Sequence, residues 1–109
     1  MHFIYILDLG PQYKVKTNWN EETAKIMGEH WNYLVALHEK GVMKLVGRTD
    51  YEVENPDIMG IAVFEAETAE KANEIMLNDP CVKKGVMTAK VHPFRLSLYG
   101  EPTDAGNKQ

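Results

Sequence analysis

Cysteine is almost absent from this sequence, since only Cys81 occurs among its 109 residues. One cysteine cannot form an internal disulfide bond, and chains of this kind are typical of reducing compartments. The apolar N-terminus, MHFIYILDLG, lacks the basic leader and the small-residue cleavage site of a signal peptide. We therefore expect a cytoplasmic protein.

Basic residues are scarce too. The chain has 12 Lys and Arg against 16 Asp and Glu, for a net charge of −4. The basic residues form no cluster, whereas nucleic acids and anionic membranes are bound through clustered Lys and Arg. No apolar stretch reaches the roughly 20 residues that a membrane-spanning helix needs. We therefore predict no nucleic-acid partner and no membrane partner.

Several site motifs are also missing. The chain has no glycine-rich phosphate loop and no G-x-S-x-G nucleophile elbow. Its histidines, at positions 2, 30, 38 and 92, do not have the spacing of metal ligands. Cys81 follows Pro80 in an apolar run, so we interpret it as a packing residue rather than a nucleophile. The sequence predicts no cofactor and no metal.

What the chain does contain is a regular succession of strand and helix patterns. Strands are predicted at 2–8, 42–49, 58–66 and 85–99, and helices at 21–40 and 68–79. Their order predicts an α+β, ferredoxin-like βαββαβ fold, in which two helices cover one face of a four-stranded antiparallel sheet. Residues 1–99 form a single predicted domain, and 100–109 form a polar, frayed tail.

Local signals place the ends of these elements. Asn18 and Glu21 have the spacing of a capping box at the start of the first helix, and Gly41 is suited to end it. Thr68 can cap the second helix. Pro93 lacks the N–H that a sheet needs, so the last strand should bend or lie at an edge there.

Both faces of the predicted sheet are apolar. In the first strand, Phe3, Tyr5 and Leu7 point to one side, and Ile4 and Ile6 point to the other. The helices can cover only one of these faces. We predict that a second copy of the chain covers the other, as a homodimer. The alternative, a tail folded over the open face, is less suited because the tail is polar.

His30 lies on the inward stripe of the first helix, since it is three residues after Met27 and four before Leu34. A histidine at such a position is most often a structural, hydrogen-bonded residue. The alternative is a general acid or base in a pocket between the helix and the sheet, a role that suits imidazole. The sequence pattern leaves both interpretations open.

Asp79 is the second candidate. It precedes Pro80 at the exit of the second predicted helix. A carboxylate at a helix C-terminus is disfavoured by roughly 0.3–1 kcal/mol, which a nearby cation would offset. Asp79 can equally be a simple turn residue. Nothing in the spacing indicates contact with His30.

Two segments, HWNYLVALHEKGVMKLVG and NDPCVKKGVMTAKVHPFRL, resemble the YciI family, also called the YCII-related domain. The resemblance covers about residues 1–98, and its most specific part runs from Asp79 to Phe94. The matching features are Asp8, His30, Leu34, Leu37, Asp79, Pro80, Gly85, Val86, Pro93 and Phe94.

This resemblance implies a dimeric α+β barrel with a catalytic His–Asp dyad, here His30 and Asp79. A few relatives are linked to dehydrohalogenation of breakdown products of chlorinated aromatic rings, and distant relatives of the fold include muconolactone isomerases. The chain departs from the family pattern in its longer first loop, PQYKVKTNWN, which is placed to line or cover the pocket.

The resulting hypothesis is a small-molecule enzyme. Asp79 would orient His30, which would act in isomerisation, elimination or hydrolysis of a small organic acid. Arg48 and Tyr5 are candidates to stabilise a developing enolate, and Asp8 is a candidate second carboxylate. Each also has a structural interpretation, respectively as a solvated strand end, a core residue and a turn. The alternative function is a non-catalytic module that binds a small-molecule ligand or supports an assembly.

Overall fold

Four short strands form the centre of the fold. The computed structural model describes residues 1–99, and the predicted tail at 100–109 lies outside the described residues. The elements are β1 (His2–Leu9), α1 (Glu21–Glu39), β2 (Met43–Arg48), β3 (Gly60–Glu65), α2 (Ala69–Leu77), α3 (Pro80–Lys83) and β4 (Met87–Pro93). The sheet has the order β2-β3-β1-β4, and every neighbouring pair is antiparallel. The predicted α+β, ferredoxin-like fold is confirmed.

Helix α1 begins at Glu21, as predicted, but its N-cap is Asn20 and not Asn18. The Asn20 side chain accepts a hydrogen bond from the Thr23 N–H at 3.0 Å, and the Thr23 hydroxyl lies 3.4 Å from the Asn20 nitrogen. Asn18 instead ends a short 3-10 turn in the preceding loop. Gly41 follows the helix with a φ of +78°, the left-handed conformation that the predicted helix end requires.

The second predicted helix is divided into two. Helix α2 ends at Leu77, and the four-residue α3 begins at Pro80, with Asp79 as its N-cap. Proline suits the first turn of a helix because its φ is already helical and that turn needs no N–H. The expectation of a disfavoured carboxylate at a helix C-terminus is therefore wrong. Asp79 stands at an N-terminus, where it accepts the Cys81 N–H at 3.2 Å.

Strand β4 lies at the edge of the sheet and ends at Pro93, as the proline predicts. The Phe94 N–H still donates to the His2 carbonyl oxygen at 2.9 Å. Residues 94–99 continue outside the sheet.

The helices cover the face of the sheet that carries the core. Phe3, Tyr5 and Leu7 of β1 are buried there, together with Ala62 and Phe64 of β3. From α1, the buried residues are Thr23, Ile26, His30 and Leu34. These four residues lie on one face of α1 and pack against the sheet. His30 therefore points inward, as predicted, with a buried residue before it and another after it along the helix.

The opposite face of the sheet is apolar at its centre. Ile4 lies opposite Val63, and Ile6 lies opposite Ile61, so these side chains share that face. Ile4 and Ile6 are half-buried. The predicted homodimer remains a prediction.

Candidate active site

His30 contacts a carboxylate that is 49 positions away in the sequence. Its Nδ1 atom lies 2.6 Å from Oδ1 of Asp79. The contact forms because Ile26 and Leu34 bury one face of α1, while the N-cap of α3 brings Asp79 beneath it. His30 itself is 9% exposed.

Asp79 is fully enclosed by hydrogen-bond donors. It is 0% exposed. Its Oδ2 accepts the Tyr5 hydroxyl at 2.8 Å. Its Oδ1, besides contacting His30, accepts the backbone N–H and the thiol of Cys81, each at 3.2 Å. The carboxylate therefore has donors from β1, α1 and α3 at once.

These donors decide the charge of Asp79. Burial raises the pKa of Asp79, but the hydrogen bond and charge of His30, together with the hydrogen bonds from Tyr5 and Cys81, hold that pKa below its usual value. An ionised carboxylate can only accept hydrogen bonds. Nδ1 of His30 therefore carries a hydrogen toward Asp79.

The same surroundings keep Tyr5 and Cys81 protonated. Burial, followed by the charge of Asp79, raises the pKa of the Tyr5 hydroxyl. The same two causes, in the same order, raise the pKa of the Cys81 thiol. Cys81 is also 0% exposed. It is thus a buried donor and not a thiolate nucleophile.

The other nitrogen of the His30 ring faces different surroundings. Among residues 1–99, no hydrogen bond uses Nε2, yet no fully buried side-chain nitrogen or oxygen lacks a partner. Nε2 is therefore not sealed in the interior. The His30 ring lines a pocket of about 900 Å³.

The walls of this pocket are mainly apolar. One wall comes from β1 and α1, and the other from residues 49–59, between β2 and β3. Trp19 of the first loop also lines it, in agreement with the expected role of that loop. The Trp19 indole N–H donates to the Tyr13 carbonyl at 2.7 Å, which fixes the ring in this place.

Of the three predicted substrate-binding residues, only Arg48 lines the pocket. Its Nη1 donates to the Tyr51 carbonyl at 3.4 Å. Within the described part of the chain, no carboxylate pairs with it. Glu52, which also lines the pocket, pairs instead with Lys16 at 3.1 Å. Arg48 is thus a cation available to an anionic ligand.

The other two predicted substrate-binding residues lie elsewhere. Tyr5 is 0% exposed, its hydroxyl donates to Asp79, and it does not line the pocket. Asp8 alternates with the pocket-lining Leu7 and Leu9 and so points to the opposite face of the sheet, where it pairs with Lys14 at 3.5 Å. Neither side chain is placed to contact a ligand in this pocket.

Sequence reasoning missed two parts of the site. It gave residues 50–57, between the second and third predicted strands, no part in the site, although this segment supplies a pocket wall through Tyr51 and Val53. Those apolar residues within a polar segment were the available signal. Cys81 was interpreted as a packing residue, and nothing in the adjacent sequence indicates its side-chain contact with Asp79.

The His30, Asp79 and Cys81 donor atoms lie within 4.8 Å of one another and are of the types that bind zinc. Ligand atoms of a tetrahedral zinc ion are separated by about 3.3 Å or more, given metal–ligand bonds of about 2.0–2.3 Å. The 2.6 Å separation of Nδ1 and Oδ1 is that of a hydrogen bond instead. These residues could hold a metal only after moving apart.

Comparison with protein families identifies the fold's relatives. The model of the YCII-related domain matches residues 3–95. The chain belongs to the YCII-related domain family. None of the curated proteins compared with it matches. Among residues 1–99 of this YCII-related protein, no helix is both long and apolar enough to cross a membrane.

A solved structure shares the fold. It is the 5-chloro-2-hydroxyhydroquinone dehydrochlorinase (TftG) from Burkholderia phenoliruptrix AC1100, in complex with 2,5-dihydroxybenzoquinone. The TM-score is 0.65 and the sequence identity 19%, over 87% of this chain and 94% of the other. At this identity the likeness establishes the common fold of the YCII-related chain and the dehydrochlorinase.

Proposed function

We propose that this YCII-related protein is a small-molecule enzyme in which His30 acts as a general base and Asp79 orients it. One observation carries the proposal. The His30 ring has its Nδ1 atom 2.6 Å from the buried Asp79 carboxylate, and the same ring lines a pocket of about 900 Å³. A histidine with a purely structural role would not need a pocket beside its ring.

The geometry supports a simple proton transfer. Asp79 holds the Nδ1–H, so the lone pair of Nε2 is directed away from the carboxylate and is free to take a proton from a bound molecule. The imidazolium that results is stabilised by the ionised Asp79 beside it. A general base of this kind typically contributes about 10²- to 10⁴-fold to a rate.

The substrate class that we propose is a small organic acid with an apolar body. The apolar walls would hold the body, and Arg48 would bind the anionic group or a developing enolate. Elimination, isomerisation and hydrolysis are all compatible with a base and a cation in one pocket. The fold shared with a dehydrochlorinase that binds 2,5-dihydroxybenzoquinone favours elimination on a ring compound.

A generic proton abstraction tests the base directly. In 5-nitrobenzisoxazole, removal of the ring C–H proton breaks the N–O bond and yields 2-cyano-4-nitrophenolate, whose absorbance is easily followed. We expect the protein to accelerate this reaction above free imidazole at the same concentration. His30→Gln should lose about 10²-fold or more.

The matched control is His38→Gln. His38 lies on the same helix, but its Nδ1 contacts the Met43 carbonyl at 3.1 Å, and it does not line the pocket. This variant should keep the wild-type rate. If His30→Gln keeps it too, or if the protein is no faster than imidazole, the enzymatic proposal is contradicted. Ligand binding without any acceleration would favour the non-catalytic binding module.

We also propose that the protein is a cytoplasmic homodimer that pairs the open faces of its sheets. Ile4, Ile6 and Ile61, which are half-buried, supply the apolar centre that such an interface requires. Sedimentation of the wild type should give twice the chain mass at micromolar concentration, and Ile6→Asp should give the monomer. A monomeric wild type would contradict the pairing.

A further inference from the structure

Hydrogen bonds from the sheet and from α3 fix the Asp79 carboxylate, and their donors do not line the pocket. From the sheet, the Tyr5 hydroxyl donates to Oδ2 at 2.8 Å. From α3, the Cys81 backbone N–H and thiol both donate to Oδ1 at 3.2 Å. Tyr5 and Cys81 are each 0% exposed, so water does not compete for these bonds.

These bonds determine which oxygen His30 meets. A carboxylate attached through one rotatable bond can turn, and either oxygen can accept a hydrogen bond. Here Tyr5 occupies Oδ2, and the two Cys81 donors hold Oδ1 in the direction of the His30 ring. The remaining acceptor position of Oδ1 is the one that Nδ1 fills at 2.6 Å.

Both donors are held in their protonated forms. Burial and the charge of Asp79 raise the pKa of the Tyr5 hydroxyl and that of the Cys81 thiol. Both groups therefore keep their hydrogens at any pH at which the protein is folded and Asp79 is ionised. The arrangement is thus a set of donors around one acceptor. The Cys81 sulfur also lies 3.2 Å from Nδ1 of His30, so this side chain contacts both members of the His30–Asp79 pair.

We propose that Tyr5 and Cys81 are positioning residues that hold Asp79 against Nδ1 and thereby keep the His30 ring in the tautomer whose bare Nε2 faces the pocket. This inference rests on the proposed role of His30 as a base. It changes the role expected of Tyr5, which acts through Asp79 from behind the ring instead of touching the substrate. It also gives Cys81 a role beyond packing.

The tautomer can be measured without a substrate. Two-bond ¹H–¹⁵N correlation spectra distinguish a protonated ring nitrogen from a bare one, and His30→Gln assigns the signals. At a pH at which the ring is neutral, the wild type should show Nδ1 protonated and Nε2 bare. In Tyr5→Phe and Cys81→Ala, the proportion of the Nε2–H tautomer should rise roughly tenfold, as expected for one buried hydrogen bond.

Two controls separate positioning from packing. Cys81→Ser keeps a side-chain donor and should keep the wild-type tautomer, whereas Cys81→Ala should not. Tyr33→Phe removes another partly buried hydroxyl, which donates to the Ile75 carbonyl at 2.7 Å, and should leave the His30 signals unchanged. If Tyr5→Phe does not fold, the Cys81→Ala and Cys81→Ser pair decides the question.

Unchanged tautomer proportions in folded Tyr5→Phe and Cys81→Ala would overturn the inference. So would an equal change in Tyr33→Phe. A wild-type ring already protonated on Nε2 would overturn it as well. Failure of the proposed function gives a different result, because it would appear as an unchanged rate of 5-nitrobenzisoxazole cleavage in His30→Gln while the tautomer proportions still respond to Tyr5→Phe and Cys81→Ala.

Discussion

The two sides of the His30 ring lie in opposite surroundings. On the Nδ1 side, Asp79 is 0% exposed and surrounded by donors from three elements of the fold. On the Nε2 side, the pocket has walls from loops and from exposed apolar residues, such as Trp31 at 62% and Tyr51 at 48% exposure. The fold therefore fixes the Nδ1 side of His30, while the first loop and residues 49–59 line the pocket on the other side.

The largest effect on stability is expected from removing the buried Asp79 carboxylate. Asp79→Ala leaves His30 and the Tyr5 hydroxyl without their partner, so it should lower the free energy of unfolding by about 3–5 kcal/mol. Urea unfolding followed by circular dichroism measures this. Asp8→Ala is the control, because its ion pair with Lys14 is exposed and should contribute less than about 1 kcal/mol. An equal loss of unfolding free energy in the two variants would contradict the larger contribution expected of the buried carboxylate.

Acid should weaken the stabilisation that the ionised Asp79 carboxylate provides. The pKa of Asp79 lies below its ordinary value of 3.8, so the unfolded chain takes up this proton at a higher pH than the folded chain. The stabilisation is therefore complete above about pH 3.8 and is lost as the pH falls through the folded pKa. The unfolding free energy of the wild type, relative to that of Asp79→Asn, should shrink as the pH falls below about 3.8. A constant difference would indicate that the pKa of Asp79 is not depressed.

The smallest effect on stability, but a clear effect on binding, is expected on the pocket side. Because Trp31 is 62% exposed, Trp31→Ala should change the unfolding free energy by only about 0.5 kcal/mol. It should weaken binding of 2-cyano-4-nitrophenol, measured by calorimetry, about tenfold. Leu77→Ala is the control, since Leu77 is 50% exposed on α2 and does not line the pocket. Equal affinity in the wild type, Trp31→Ala and Leu77→Ala would show that the ligand does not contact Trp31.

The sequence predicts the parts of the molecule that depend on local patterns. The succession of periodicities predicts the βαββαβ fold, and the spacing of His30 from Met27 and Leu34 predicts that its ring points inward. Pro93 correctly predicts an edge strand. These features depend on neighbouring residues, so a short segment contains the necessary information.

The composition of the site depends on contacts between distant segments. Tyr5 lies 74 positions from Asp79, and no spacing rule connects them. The His30–Asp79 pair was expected only from the resemblance to the YCII-related family. The pocket wall at 49–59 was missed because turn composition predicts the backbone of a loop and not the cavity beneath it.

The proposed mechanism gives the two ring nitrogens of His30 separate tasks. The most direct test is the ¹H–¹⁵N spectrum of the ring while 2-cyano-4-nitrophenol is added to saturation. We expect the Nε2 signal to move as the ligand binds, and the protonated Nδ1 signal to keep its position because Asp79 still holds it. Saturable binding that leaves the Nε2 signal unchanged, or that removes the hydrogen from Nδ1, would contradict these separate tasks.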